Sequence, residues 1–279
     1  VTTTFALCAL LVGTAAAVRS TWSPCGLSML STITPVAEQA KGHRYAATCA
    51  WFAVGATLGG LALGGLAALG ALLVGYGAPT TTVAACTGLA VALVALVSDA
   101  GLAGVRVPVH YRQVNERWLD AYRPWVYGAG FGFQIGTGLA TYVTTAAVYL
   151  FAVLGALTCD PWVALALGGG FGLVRGLAVT LTRRVTSPQE LLEFHRRFAA
   201  GLPWAERAVG ASTAAVAVVL ALAAGPAAAL AVAAVAVVTA GARLVVLLRA
   251  QGTSGTEVDP TGAASGRSVD DRGRSVPVG

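Results

Sequence analysis

Charge is what this chain has least of. Only 11% of its 279 residues are charged, against roughly 25% in a soluble domain. Lysine is nearly absent: Lys41 is the only one among 18 basic residues. That scarcity excludes an ordinary soluble globular domain. The five cysteines, Cys8, Cys25, Cys49, Cys86 and Cys159, form no CxxC and no Cys/His spacing of the zinc type, so no metal site is expected. No nucleotide-binding loop, HExxH or GxSxG occurs, which excludes a conventional ATPase or hydrolase. The net charge of +6 is carried by arginines between apolar runs, with no basic patch interleaved with aromatics. No nucleic-acid partner is expected, and nothing calls for a cofactor.

What is present is apolar and small. Hydrophobic residues make up 56%, with 35 glycines and a mean hydropathy of +0.74. The apolar residues come in long blocks, and a bilayer core needs roughly 20 per helix. The chain reads as an all-α polytopic membrane bundle, and small residues let its helices approach closely. The Ala, Gly and Val excess points to a GC-rich, bacterial genome. About seven spans are expected: 4–36 (interrupted around 19–25), 46–75, 82–104, 128–157, 162–182, 208–224 and 227–248. Gly225-Pro226 separates the last two as a tight helical hairpin, since proline cannot continue one helix but suits the first turn of the next. Residues 1–18 lack a basic leader and a clean cleavage site, so they count with the first span.

Every second connection is basic. Lys41 and Arg44 follow the first span; Arg106, Arg112, Arg117 and Arg123 follow the third; Arg183, Arg184, Arg196, Arg197 and Arg207 follow the fifth; Arg243 and Arg249 end the seventh. Connections 76–81, 158–161 and 225–226 hold no Lys or Arg. The positive-inside rule puts the N-terminus outside and the C-terminus in the cytoplasm of a cell-membrane protein. Within the basic loops, "SPQELLEFHRRF" (187–198) reads as an amphipathic helix on the cytoplasmic face. "VHYRQVNERWLDAYRPWVYG" (109–128) reads as an interface anchor, and His110 and His195 as solvated loop residues. Residues 1–249 form the membrane domain; 250–279, without apolar period, are expected to be a disordered cytoplasmic tail.

An internal repeat accompanies the charge pattern. "CGLSMLST" (25–32) lies over "TGLATYVT" (137–144), and Gly55 and Gly59 over Gly168 and Gly172. The two halves, about 4–104 and 128–224, hold three spans each and so insert with opposite orientation, with 227–248 as an extra helix. Such inverted repeats place a working site near the midplane.

The first span meets Ser23-Pro24-Cys25 in mid-membrane and goes on to Pro35. "SPCGLSMLSTITPVAE" resembles the first-helix motif of the CcdA/DsbD thiol–disulfide transporters, and "AWFAVGATLGG" (50–60) their second helix. The likeness covers roughly residues 10–185. It implies a cysteine in the first helix and another in the fourth, forming a reversible disulfide. That pair passes reducing equivalents from cytoplasmic thioredoxin-like proteins to partners outside. Cys25 becomes the redox cysteine, and any catalysis thiol–disulfide oxidoreduction. The chain departs from this pattern: Thr137 stands where the fourth-helix cysteine belongs. A disulfide needs Cα atoms within about 7 Å. Cys159 is expected near the opposite face and Cys49 nearer in depth, so the full two-cysteine relay is not expected.

Two other functions fit the same residues. The DsbD core resembles LysE-type exporters, so a carrier of a small solute or ion is one. Intramembrane charges are costly and suspect: Arg19, Asp99 and Arg175 are the candidates. Arg175 either lines an anion path or snorkels, and Asp99 is expected to pair with Arg106 or water. Arg19 has no easy route to water. Gln134, Thr137 and Thr141 are placed to offer polar groups toward Cys25 and Ser28, with Ser23, Pro24, Gly26 and Pro35 shaping the break. The other is a membrane scaffold acting through loops and tail.

Overall fold

The computed structural model describes residues 2–102, 122–139, 143–230, 232, 268–269 and 275–276. Thr141, His110, Arg106, most of the 227–248 span and nearly all of the 250–279 tail lie outside these. The chain divides into two units, 1–232 and 233–279. In the second, β1 (Ser268–Val269) pairs antiparallel with β2 (Ser275–Val276). The first is helical throughout its described residues.

The first span is cut twice rather than once. Helix α1 (Thr2–Arg19) runs into a single 3-10 turn, Ser20–Trp22, and then α2 (Pro24–Thr32) and α3 (Pro35–Ala40). Ser23 turns extended and its hydroxyl accepts the Gly26 N–H at 3.1 Å; Thr34 does the same for Ala37 at 3.1 Å. Each proline therefore starts a capped helix, at the position where its missing N–H costs nothing. The freed Ile33 carbonyl accepts the Thr182 hydroxyl at 3.0 Å, as irregular backbone at membrane depth requires.

Helices α4 (Tyr45–Tyr76) and α5 (Thr81–Asp99) follow. The expected continuous span 128–157 is instead two helices, α6 (Pro124–Gly136) and α7 (Ala147–Leu157). Gly138 has φ +68°, the left-handed region that ends a helix. Asp99 restarts the chain: its carboxylate accepts the Ala146 N–H at 2.7 Å and the Thr145 hydroxyl. Asp99 is thus a cap on α7; Arg106, its expected partner, lies outside the described residues. Helix α8 (Pro161–Leu177) is capped by Asp160 and ends in a 3-10 turn, Ala178–Thr182. The amphipathic α9 (Pro188–Ala200) stands where the sequence places it, with Glu193 bonded to Arg196 and Arg197. Helix α10 (Leu202–Ala224) stops at Gly225, φ +120°, and helix resumes at 226–230.

Five described segments are long and apolar enough to cross a bilayer: Thr2–Trp22, Tyr45–Tyr76, Thr81–Asp99, Pro161–Thr182 and Pro188–Ala224; Ala147–Leu157 is a shorter apolar helix. Leu7, Leu66, Leu73 and Leu222 face outward while Ala9, Ala16, Ala56 and Ala92 are buried. Large residues outside and small ones inside is the arrangement lipid favours, since tails solvate leucine as well as a core does. The chain is an all-α membrane bundle.

Helix α4 is its axis. It runs antiparallel to α8, with Gly64 against Ala164, Gly60 against Gly168 and Gly172, and Ala53 against Gly176. It runs parallel to α6 and α7, with Phe52 against Gly132, Ala56 against Gly136 and Gly70 against Ala156. A Cβ on Gly60 would stand 2.2 Å from the Gly168 carbonyl oxygen, and one on Gly136 2.0 Å from that of Ala56. Backbone rests on backbone.

Candidate functional centre

Cys25 is the second residue of α2 and only 2% exposed. Its helix starts close against the preceding turn: a Cβ on Gly26 would meet the Thr21 carbonyl oxygen at 2.2 Å. Cys25 belongs to one buried cluster with Met29, Cys49, Phe52, Ile135 and Val179. The described residues include all five cysteines, and among them there is no disulfide. Cys8 lies in a different cluster, and Cys86 and Cys159 are exposed. Of the other four cysteines, Cys49 is the one that shares the buried cluster of Cys25.

Arg175 does not snorkel. It is 3% exposed, on the last turns of α8. Its guanidinium lies 5.7 Å from the Phe171 ring centroid, and its Nη1 stands 3.5 Å from where a Gly138 Cβ would be. Val179, one turn further along the chain, packs in the buried cluster that holds Cys25. One buried cation therefore sits between the break after α6 and the start of α2. Among the described residues its Nη2 has no hydrogen-bond partner.

The remaining expected site residues divide. Ser23 and Pro24 build the α2 cap, and Pro35 starts α3, as above. Thr137 donates its hydroxyl to the Gln134 carbonyl at 2.8 Å, within its own turn. Gln134 and Ser28 are half-buried. Arg19, read as isolated, is an ion-pair partner of Glu206 at 3.0 Å, half-exposed on α10. That pair provides the route to water which the sequence did not reveal. His195, expected to be a solvated loop residue, is half-buried on α9 and lies 3.1 Å from the Ser31 hydroxyl.

One group escaped the sequence reading. Glu38, on α3, is 0% exposed. It accepts from the Thr48 hydroxyl at 2.5 Å, and the Tyr127 hydroxyl stands 2.7 Å from both its oxygens. His43 Nδ1 is 4.0 Å away, and Lys41 Nζ lies 5.6 Å from the Tyr127 ring centroid. The signal available was its place at the end of the Ser-Pro-Cys motif, three residues past Pro35, on a helix with an apolar side.

A groove of about 490 Å³ passes beside the α1–α2 break, walled by Val18, Thr21, Trp22, Val174, Leu177 and Phe198. The Trp22 indole N–H donates to the Phe198 carbonyl at 2.7 Å, with the rings stacked at 4.3 Å. Among the described residues no group of three His, Cys, Asp or Glu side chains is placed to hold a metal ion.

Broken apolar helices enclosing a thiol and a buried cation define an integral membrane protein with its polar centre inside the bundle. The chain is similar to methylamine utilization protein MauF of Paracoccus versutus, 34% identical over 183 residues, covering 62% of this chain and 65% of the relative. It is 33% identical over 169 residues to MauF of Paracoccus denitrificans, covering 58% of each. MauF of Methylorubrum extorquens is 28% identical over 165 residues, 58% of this chain and 57% of that one. The chain thus spans less than two thirds of the length of these relatives. No protein-family model matches it, and no solved structure does.

Proposed function

We propose that this chain is a membrane-embedded thiol–disulfide carrier serving methylamine utilization, built like the CcdA/DsbD core and working through Cys25. The observation that carries the reading is the placement of Cys25. It begins a helix restarted in mid-span, with a buried guanidinium opposite and a second cysteine, Cys49, in the same buried cluster. A helix N-terminus and an arginine are both partners for an anion. The MauF relatives, named for methylamine utilization, supply the physiological context.

The step balances as follows. The Cys25 thiolate attacks one sulfur of a thioredoxin-like partner's disulfide, forming a mixed disulfide and releasing the other partner sulfur as thiolate. Cys49, as thiolate, then attacks the Cys25 sulfur, releasing the second partner thiolate and leaving Cys25–Cys49 oxidised. The two partner thiolates take up the two protons that Cys25 and Cys49 gave up. A cytoplasmic dithiol reduces the pair again by the same exchange, becoming a disulfide itself. Cys49 takes the place of the absent fourth-helix cysteine. The two halves insert upside down relative to each other, in seven crossings with the basic loops in the cytoplasm. The antiparallel run of α4 on α8, and the parallel run of α4 on α6 and α7, support that topology.

Acid-trapping of membranes with an alkylating thiol probe tests the reading. Cys49→Ser accumulates a reductant-sensitive mixed disulfide, on the order of tenfold over wild type, because the resolving step is lost. Cys25→Ser forms none and abolishes growth on methylamine. Normal growth with Cys25→Ser would rule the thiol reading out.

A further inference from the structure

Arg175 is a buried cation whose compensation is incomplete. Among the described residues its Nη2 has no hydrogen-bond partner, and the Phe171 ring lies 5.7 Å from the guanidinium. Other charges inside the bundle are engaged. Arg19 pairs with Glu206, Asp99 caps α7, and Glu38 is held by Thr48 and Tyr127. A buried charge is retained where it is paired or where it meets a ligand.

We infer that Arg175 anchors a binding site for a small monovalent anion, a carboxylate or a halide, between the Gly138 break and the start of α2. The residues around the guanidinium set the size and charge of the ligand. Phe171 covers one face of the guanidinium, leaving its edge for the ligand. That edge presents in-plane N–H donors, which suit a carboxylate or a halide. Gly138 keeps the backbone close: a Cβ there would lie 2.8 Å from Phe171 Cε1, and φ is +68° besides. One unopposed positive charge matches one negative charge. The site does not depend on the thiol chemistry proposed for Cys25.

Thermal unfolding of the full chain in detergent is the test, with chloride and formate as probes at constant ionic strength, balanced by gluconate, which is too large to enter. Chloride, formate or both raise the unfolding temperature saturably, by on the order of 5 °C once the anion is well above its dissociation constant. The better probe tells halide from carboxylate. Arg175→Gln abolishes the shift, yet unfolds in gluconate at or above the wild-type temperature, because an uncompensated buried charge is gone. Arg175→Lys keeps a reduced shift. Cys49→Ser keeps the whole shift, so loss of thiol exchange and loss of anion binding are separable. The inference is overturned by an absent shift with both anions, by an equal shift in Arg175→Gln, or by its loss in Cys49→Ser. If Arg175→Gln does not fold, Arg175→Lys carries the test, and a shift as large as that of wild type with both anions overturns the inference.

Discussion

Valine at Gly60 leaves no folded bundle. The new Cβ would stand 2.2 Å from the Gly168 carbonyl oxygen and 2.6 Å from the Gly172 N and Cα. All three are backbone atoms, so no rotamer change relieves the contact. From the opposite side, a Cβ on Gly172 would meet the Ala56 carbonyl oxygen at 2.1 Å. Overpacking a core ordinarily costs about 1–3 kcal/mol because side chains shift; here two helices must part. Helix α4 also carries α6 through Gly132 and Gly136, so its displacement disturbs both halves. Size-exclusion profiles and thermal unfolding in detergent read the result: Gly60→Val aggregates or melts far below wild type. Gly65→Val and Gly170→Val are the controls, since nothing lies within 4 Å of a Cβ at either position. Their folding is expected to match wild type, and equal damage there would refute the close-packed crossing.

The second large effect belongs to Tyr127. Its hydroxyl is the bond from α6 to the buried Glu38 carboxylate on α3, at 2.7 Å to each oxygen. Phenylalanine removes that donor and leaves Glu38 with the Thr48 hydroxyl on the other flank. Hydrogen bonds to charged groups contribute about 1.5–3 kcal/mol, and full burial leaves no water to replace the lost one. Tyr127→Phe is expected to destabilise by about 2–3 kcal/mol. Glu38→Ala, which strands both hydroxyls and opens a cavity, is expected to cost about 3–5 kcal/mol. His43→Ala changes little: its ring is partly exposed and 4.0 Å from the carboxylate. Denaturant melts give the size. Hydrogen exchange over residues 35–44 gives the place, with protection lost there first. A Tyr127→Phe protein as stable as wild type would mean that α3 is not pinned through this bond.

These outcomes separate what the residues announce from what only packing creates. The break in the first span was legible because proline leaves a mark on any helix: Pro24 and Pro35 lack the N–H, and Ser23 and Thr34 before them are capping residues. The break in the fourth span was not. Thr137-Gly138-Leu139 holds no proline, and a glycine in a glycine-rich membrane helix says nothing about φ until its neighbours are known. Asp99 was read by its nearest arginine in sequence, but its partners, Thr145 and Ala146, come from a helix start that the same reading did not see. Glu38 was passed over because a lone carboxylate beside Lys41 and Arg44 looks like loop charge. Its burial arises when α4 and α6 close over it, through residues far along the chain. Arg175 was found, because a cation in an apolar run is conspicuous; its missing partner was not. The likeness of Gly55 and Gly59 to Gly168 and Gly172 was visible as weak similarity; Gly168 and Gly172 line the α4–α8 crossing, whereas Gly55 and Gly59 face α6, against Ala129 and Phe133.

The hydrogen bond from Trp22 to the Phe198 carbonyl has a mechanical consequence. Helix α9 is amphipathic, and its Phe194 and Phe198 pack against the buried cluster that holds Cys25. Trp22 is three positions before Cys25. The turn that precedes the thiol is therefore fastened to α9 through one indole ring, which both stacks on Phe198 and donates to its carbonyl.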